Sequence, residues 1–194
     1  HEKDEYVLRA RREGYRSRAS YKLLEIDEKF GLLRPGTVVV DLGAAPGGWA
    51  QIAVQKCGRS GFVVGLDLLA MEPLGGATLI KGDFTDEKSL SELMAVLQDR
   101  TVDLVISDMA PNLSGMKEID QPLAIYLTEL ALDFACATLR PGGALLMKCF
   151  EGSGLDELRR VIRTNFKQLN NVKPKASRDK SREIYVLGRQ FKGS

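Results

Sequence analysis

The sequence predicts an α/β fold built on a mostly parallel central sheet with helices on both faces. Three observations predict it. Short β-branched apolar runs recur along the chain, longer helix-periodic stretches separate them, and several runs are continuously apolar, as strands covered on both faces must be. The runs are 38–40, 61–66, 77–80, 102–106, 144–147 and 184–187. The helical stretches are 49–56, 88–98, 123–139 and 155–166. Pro35-Gly36 and Pro141-Gly142-Gly143 punctuate the approach to two strands, and Pro111-Asn112 follows a third. Ahead of the first strand, Tyr21, Leu24, Ile26 and Phe30 alternate with charges in a helical pattern that suits a helix on a sheet edge.

A chain of 194 residues, 44% hydrophobic and 28% charged, fits one domain (1–194) with a full core, preceded by a basic segment over 1–22. It carries no apolar run of membrane-spanning length and no leader-like segment, so the expectation is a cytoplasmic protein without a membrane partner. No feature marks a protein partner, so a monomer is expected. Three cysteines without C-x-x-C spacing and a single histidine, His1, argue against a structural disulfide or a metal site. Each cysteine reads as a small buried hydrophobe.

Net charge is +2, but it is unevenly spread. Residues 1–22 hold seven basic against four acidic residues, and 167–182 hold six against one, leaving fifteen against twenty-one elsewhere. Two basic ends around an acidic middle suit an anionic polymer substrate. Arg16, Arg18, Lys175, Arg178 and Arg182 are the candidate phosphate contacts.

In open α/β sheets ligands bind beyond the carboxyl ends of the strands. The first strand ends at Asp41, and Gly43-Ala44-Ala45-Pro46-Gly47-Gly48-Trp49 follows, small residues that let backbone approach a ligand before turning into a helix. Ala45 replaces the glycine that a pyrophosphate would need, and Pro46 removes a donor, so a ligand with adenosine and amino-acid parts fits better than a dinucleotide. Asp67 closes the second strand, where a carboxylate accepts ribose hydroxyls. Asp83, just past the third, is placed to meet an adenine amino group, or to cap the following turn.

The fourth strand ends in Ser107-Asp108-Met109-Ala110-Pro111-Asn112, and the fifth carries Lys148 at its apolar end. A lysine there is costly unless paired or useful, and Asp108 is the obvious partner. Glu183 opens the last strand and Lys22 follows the arginine-rich start. Charged groups converging near a cofactor loop describe an active site better than a pair of fastening salt bridges.

On Arg16-Ser17-Arg18-Ala19 with Lys22, Asp41 to Trp49, Ser107 to Asn112, Lys148, and Ser181-Arg182-Glu183, the chain resembles the FtsJ family of ribose 2′-O-methyltransferases over roughly residues 3–188. The resemblance implies a Rossmann-like class I methyltransferase that uses S-adenosyl-L-methionine. Its catalytic tetrad falls on Lys22, Asp108, Lys148 and Glu183, and its cofactor contacts on Gly43, Gly47, Trp49, Asp67, Asp83 and Asp108. The compact single domain is similar to the bacterial members that methylate a uridine in large-subunit ribosomal RNA, on the assembled or assembling subunit. A tRNA-directed relative is the alternative.

As a base, Lys148 would need a lowered pKa, which Lys22 favours and the carboxylates oppose; the other role is to orient the 2′-oxygen. Competing classes explain less. A dehydrogenase lacks its middle glycine, a small-molecule methyltransferase leaves the basic ends idle, and a non-catalytic ribosome-assembly factor gives no reason for Asp108 with Lys148.

Overall fold

In a computed structural model, which describes residues 4–194, the chain forms one seven-stranded sheet in the order β3-β2-β1-β4-β5-β7-β6. His1, Glu2 and Lys3, the last two counted in the basic segment, lie outside the described residues. The elements run α1 (Glu5–Glu13), α2 (Ser20–Phe30), β1 (Val38–Leu42), α3 (Gly48–Cys57), β2 (Phe62–Asp67), β3 (Ala77–Lys81) and α4 (Glu87–Leu97). They continue with β4 (Val102–Ser107), α5 (Lys117–Thr138), β5 (Leu139–Phe150), α6 (Leu155–Asn165), β6 (Phe166–Val172) and β7 (Glu183–Phe191).

Strands β1 to β5 are parallel, and β7 enters antiparallel between β5 and β6. Strand order reverses at β1, between β2 and β4, which opens a crevice at their carboxyl ends. Because β7 runs the other way, its first residue, Glu183, pairs with the last of β5, Phe150, at that same edge.

Side chains alternate between the two faces. Val39, Leu104, Leu146, Tyr185 and Leu187 pack under α2 and α3 with Leu23, Ile26, Trp49 and Ile52. Val40, Val105, Leu145, Met147 and Val186 pack under α4, α5 and α6 with Leu93, Leu132 and Leu158. Burial on both sides explains why the central strands read as unbroken apolar runs.

Several elements differ from the sequence expectation. Helix α2 covers a sheet face rather than an edge, and buries Leu23, Ile26 and Asp27. Helix α5 starts before Pro122, at Lys117, because the Asp120 carboxylate gathers the Ser114 amide and hydroxyl and the Gly115 amide into a tight lead-in. Strand β5 runs through Pro141-Gly142-Gly143, and an irregularity in its pairing with β4 between Val102 and Leu104 takes up the turn. Cys57 and Cys149 are buried and Cys136 is half-buried, all as free thiols. Among the described residues, no helix is long and apolar enough to cross a membrane.

Candidate active site

The loop after β1 is pinned before any ligand arrives. The Gly43 and Ala44 amides donate to Leu66 O at 2.8 and 3.1 Å, and the Ala45 amide donates to Asp67 Oδ2 at 2.9 Å. Gly43 has φ 72° and its missing Cβ would collide with Met109, so only glycine fits. Asp67 Oδ1 accepts from the Leu69 amide at 2.8 Å, which fixes the carboxylate at the strand end.

Beside this loop lies a cleft of about 460 Å³, lined by Gly43, Asp67, Asp83, Phe84, Asp108 and Met109 among others. Asp83 Oδ1 accepts from the Thr85 amide and hydroxyl at 2.8 and 2.7 Å. Those Thr85 bonds, the hydroxyl's first, hold its carboxyl below the ordinary value, so it faces the cleft as an acceptor. It makes the turn contact and lines the cleft at once.

A smaller chamber of about 120 Å³ continues from it, sharing Gly43, Ala45 and Asp108, with Asp41, Gly48 and Trp49 on its walls. Asp41 is fully buried there, and among the described residues only the Ala50 amide approaches its carboxyl, short of a well-formed hydrogen bond. Burial, then the nearby charges of Asp108 and Asp67, push its pKa well above the ordinary carboxylate value. A cationic group placed in the chamber would offset the Asp108 and Asp67 charges and draw the Asp41 proton off.

Next to the cleft, at the ends of β4, β5 and β7, the four expected charges meet. Lys148 Nζ lies 3.2 Å from Asp108 Oδ1 and 3.8 Å from Glu183 Oε2. Lys22 Nζ, from α2, donates to Glu183 Oε1 at 2.6 Å, and the Ser177 hydroxyl donates to the same oxygen at 3.0 Å. Burial pushes the Glu183 pKa up, but the Lys22 bond and charge, the Lys148 charge and Ser177 outweigh it, leaving it below the ordinary value. The carboxylate is therefore the ionised hub between two lysines.

Sequence reasoning missed Tyr185. Its ring is fully buried, packs 5.6 Å from Trp49, and its hydroxyl donates to Asp108 Oδ1 at 2.6 Å. Burial, then the Asp108 and Glu183 charges, raise its pKa well above the usual phenol value, so it stays a donor. Its spacing from Glu183 on one strand put it on the same face, a signal masked by its apolar neighbours.

The basic ends converge as well. The Lys175 and Ala176 amides donate to Glu25 at 2.7 and 2.9 Å, and Arg18 donates to Ala176 O at 2.8 Å. Arg18 also sits 3.1 Å, and Arg178 3.3 Å, from Asp4 Oδ2. Lys175 is exposed, and exposed Arg182 donates to Glu151 O at 3.2 Å. Arg16 instead turns its guanidinium onto Pro46 O, Glu72 O and Pro73 O at 3.2, 2.7 and 2.7 Å, which makes it a brace of the loop rather than a free cation. Trp49 Nε1 donates to Ala19 O at 2.8 Å, tying the same loop to the basic segment.

This fold and site define a methyltransferase. Residues 15–191 match the family described as FtsJ-like methyltransferase, and the chain belongs to that family. The Ribosomal RNA large subunit methyltransferase E of Chromohalobacter salexigens is 54% identical over 193 residues, 100% of this chain and 92% of that protein. The protein of the same name from Alkalilimnicola ehrlichii is 56% identical over 191 residues, 98% of this chain and 91% of that one. A solved Plasmodium falciparum chain described as a ribosomal RNA methyltransferase superposes with a TM-score of 0.82 at 29% identity, covering 93% of this chain and 100% of that one.

Proposed function

We propose that the protein methylates the ribose 2′-hydroxyl of a uridine in large-subunit ribosomal RNA, with S-adenosylmethionine as donor. The observation that carries this reading is Lys148, held between two carboxylates of which one, Asp108, lines an adenosine-sized cleft. The names of the relatives above favour ribosomal over transfer RNA.

The residues suit that cofactor. Asp67 and Asp83 offer acceptors to a ribose and an adenine, and the buried Asp41 carboxyl on the chamber wall suits the cationic amino-acid end. When bound, S-adenosylmethionine supplies a methyl on a sulfonium, so that a C–O bond forms at the 2′-oxygen as the C–S bond breaks and the hydroxyl proton leaves to solvent.

The chain's own part is alignment. An ammonium has three N–H donors. Asp108 and Glu183 flank Lys148 Nζ as ion-pair partners at 3.2 and 3.8 Å, which leaves it an N–H to turn toward the 2′-oxygen. Tyr185 fixes Asp108, and Lys22 with Ser177 fixes Glu183, so Lys148 orients a lone pair from a braced position.

Labelled cofactor incubated with intact large subunits, naked ribosomal RNA or tRNA tests the reading, followed by mapping of the methylated nucleotide. Lys148→Ala is expected to abolish transfer while calorimetry finds cofactor affinity nearly intact. Lost cofactor binding in a folded variant would refute the role of Lys148.

A further inference from the structure

A second cavity, of about 620 Å³, opens between the start of α5 and the loop that follows β5. It is lined by Lys117, Glu118, Gln121, Pro122 and Ile125 of α5, by residues 152–154 and by Arg182, and shares no residue with the cofactor cleft. We propose that it receives the base of the nucleotide whose ribose is methylated. The proposal rests on the 2′-hydroxyl lying at Lys148.

Position is the first argument. Arg182 immediately precedes Glu183, whose Oε2 lies 3.8 Å from Lys148 Nζ. The Phe150 to Glu183 rung stands two residues beyond the Lys148 to Tyr185 rung, about 7 Å along the strand, and the glycine loop begins just past it. A ribose presenting its 2′-oxygen to Lys148 carries its base on the adjacent carbon, one ring's width away. In sheet order the cofactor cleft lies at the ends of β1 to β4, while this cavity lies beside the end of β5 and the start of β7, next to the lysine on the side away from the cofactor.

Chemistry is the second. Pro122, Ile125 and bare glycine backbone make flat apolar walls, and Arg182 adds a planar cation, the surfaces against which unstacked bases are held. Gln121 is 6% exposed, and its Nε2 donates to Phe150 O and Ser153 O at 3.1 and 3.0 Å. That fixes the amide and leaves Oε1 as a buried acceptor with no partner among the described residues. An N–H on the edge of a base is the complement it lacks. The glycines keep the space open, since a Cβ at Gly152 would come 3.1 Å from Gln121 Cδ, and one at Gly154 3.0 Å from Ile125 Cγ1.

The test compares three RNAs, with uridine, 3-methyluridine or an abasic ribose at the mapped methylation site, using wild type, Ser153→Trp and Gln121→Met. Ser153 is exposed on the cavity wall, so tryptophan there fills the space without entering the core. Wild type is expected to lose roughly ten-fold in kcat/KM on 3-methyluridine, the equivalent of one hydrogen bond, and more on abasic RNA. Ser153→Trp should lose on uridine RNA, chiefly through KM, yet match wild type on abasic RNA. Gln121→Met should treat uridine and 3-methyluridine alike.

Equal losses by Ser153→Trp on uridine and abasic RNA, or wild-type indifference to the base, overturn the base site while leaving ribose methylation standing. Absence of methyl transfer to uridine RNA by wild type overturns both.

Discussion

The pairing of Lys22 with Glu183 joins the second helix to the last strand, and removing either partner strands a buried charge. The two groups are 2.6 Å apart, with side-chain exposures of 8% and 10%. Breaking a buried pair by deleting one partner strands the other charge and costs about 3–5 kcal/mol. Lys22→Met leaves Glu183 with Ser177 and the more distant Lys148, which places the expected loss near the lower figure. Glu183→Gln strands Lys22 in the same way.

In the double variant neither charge is stranded, so its loss should fall short of the sum of the single losses by about 2–3 kcal/mol. Urea unfolding of the four proteins measures this. Additivity within about 0.5 kcal/mol would refute the coupling. The pH dependence gives an independent reading. The folded pKa of Glu183 is depressed, so its contribution is fully present above the unfolded carboxylate value and is lost as pH falls through the folded one. Wild type should therefore resist acid to a lower pH than Lys22→Met, and coincident acid profiles would count against the pair.

Two further outcomes follow from the cofactor side. The folded pKa of Asp41 is raised by burial first and by Asp108 and Asp67 next, so the folded chain retains a proton that the unfolded chain has lost above about pH 4, and stability falls as pH rises from there. Asp41→Asn removes that slope and should gain on wild type between pH 5 and pH 8 in urea midpoints; parallel curves would sink the assignment. Gly43→Ala drives a Cβ into Met109 at φ 72° and is expected to cost about 1–3 kcal/mol in thermal unfolding, so an unchanged melt would contradict the packing described.

The central strands were legible because burial on both faces leaves no choice of side chain but apolar, and the cofactor loop because its small residues are dictated by backbone approach. Edge elements were not. Strand β6 carries Lys167, Gln168, Asn170 and Asn171, a composition that reads as solvated loop, and forms because β7 offers it a ladder. Helix α1 was hidden among its charges, although Asp4 caps it through the Tyr6 amide and Gly14 closes it.

At the site, Lys148 announced itself as a charge at the end of an apolar run, whereas Tyr185 lay within the apolar stretch 184–187 and Gln121 fell just outside the helical stretch 123–139. The role of Arg16 lay out of reach for another reason. Its three carbonyl partners come from segments thirty and more positions away, a proximity that only the folded chain creates.

The antiparallel course of β7 also orders events in time. Every residue lining the cofactor cleft lies between Gly43 and Leu127, whereas Glu183 and Tyr185 arrive only with the final strand. A chain still emerging during synthesis thus has all the lining of its donor compartment before its acceptor compartment has a hub. Until the last strand seats, Lys22 lacks Glu183 and Lys148 keeps only one of its two carboxylates. Seating of β7 is itself the step that completes the acceptor side.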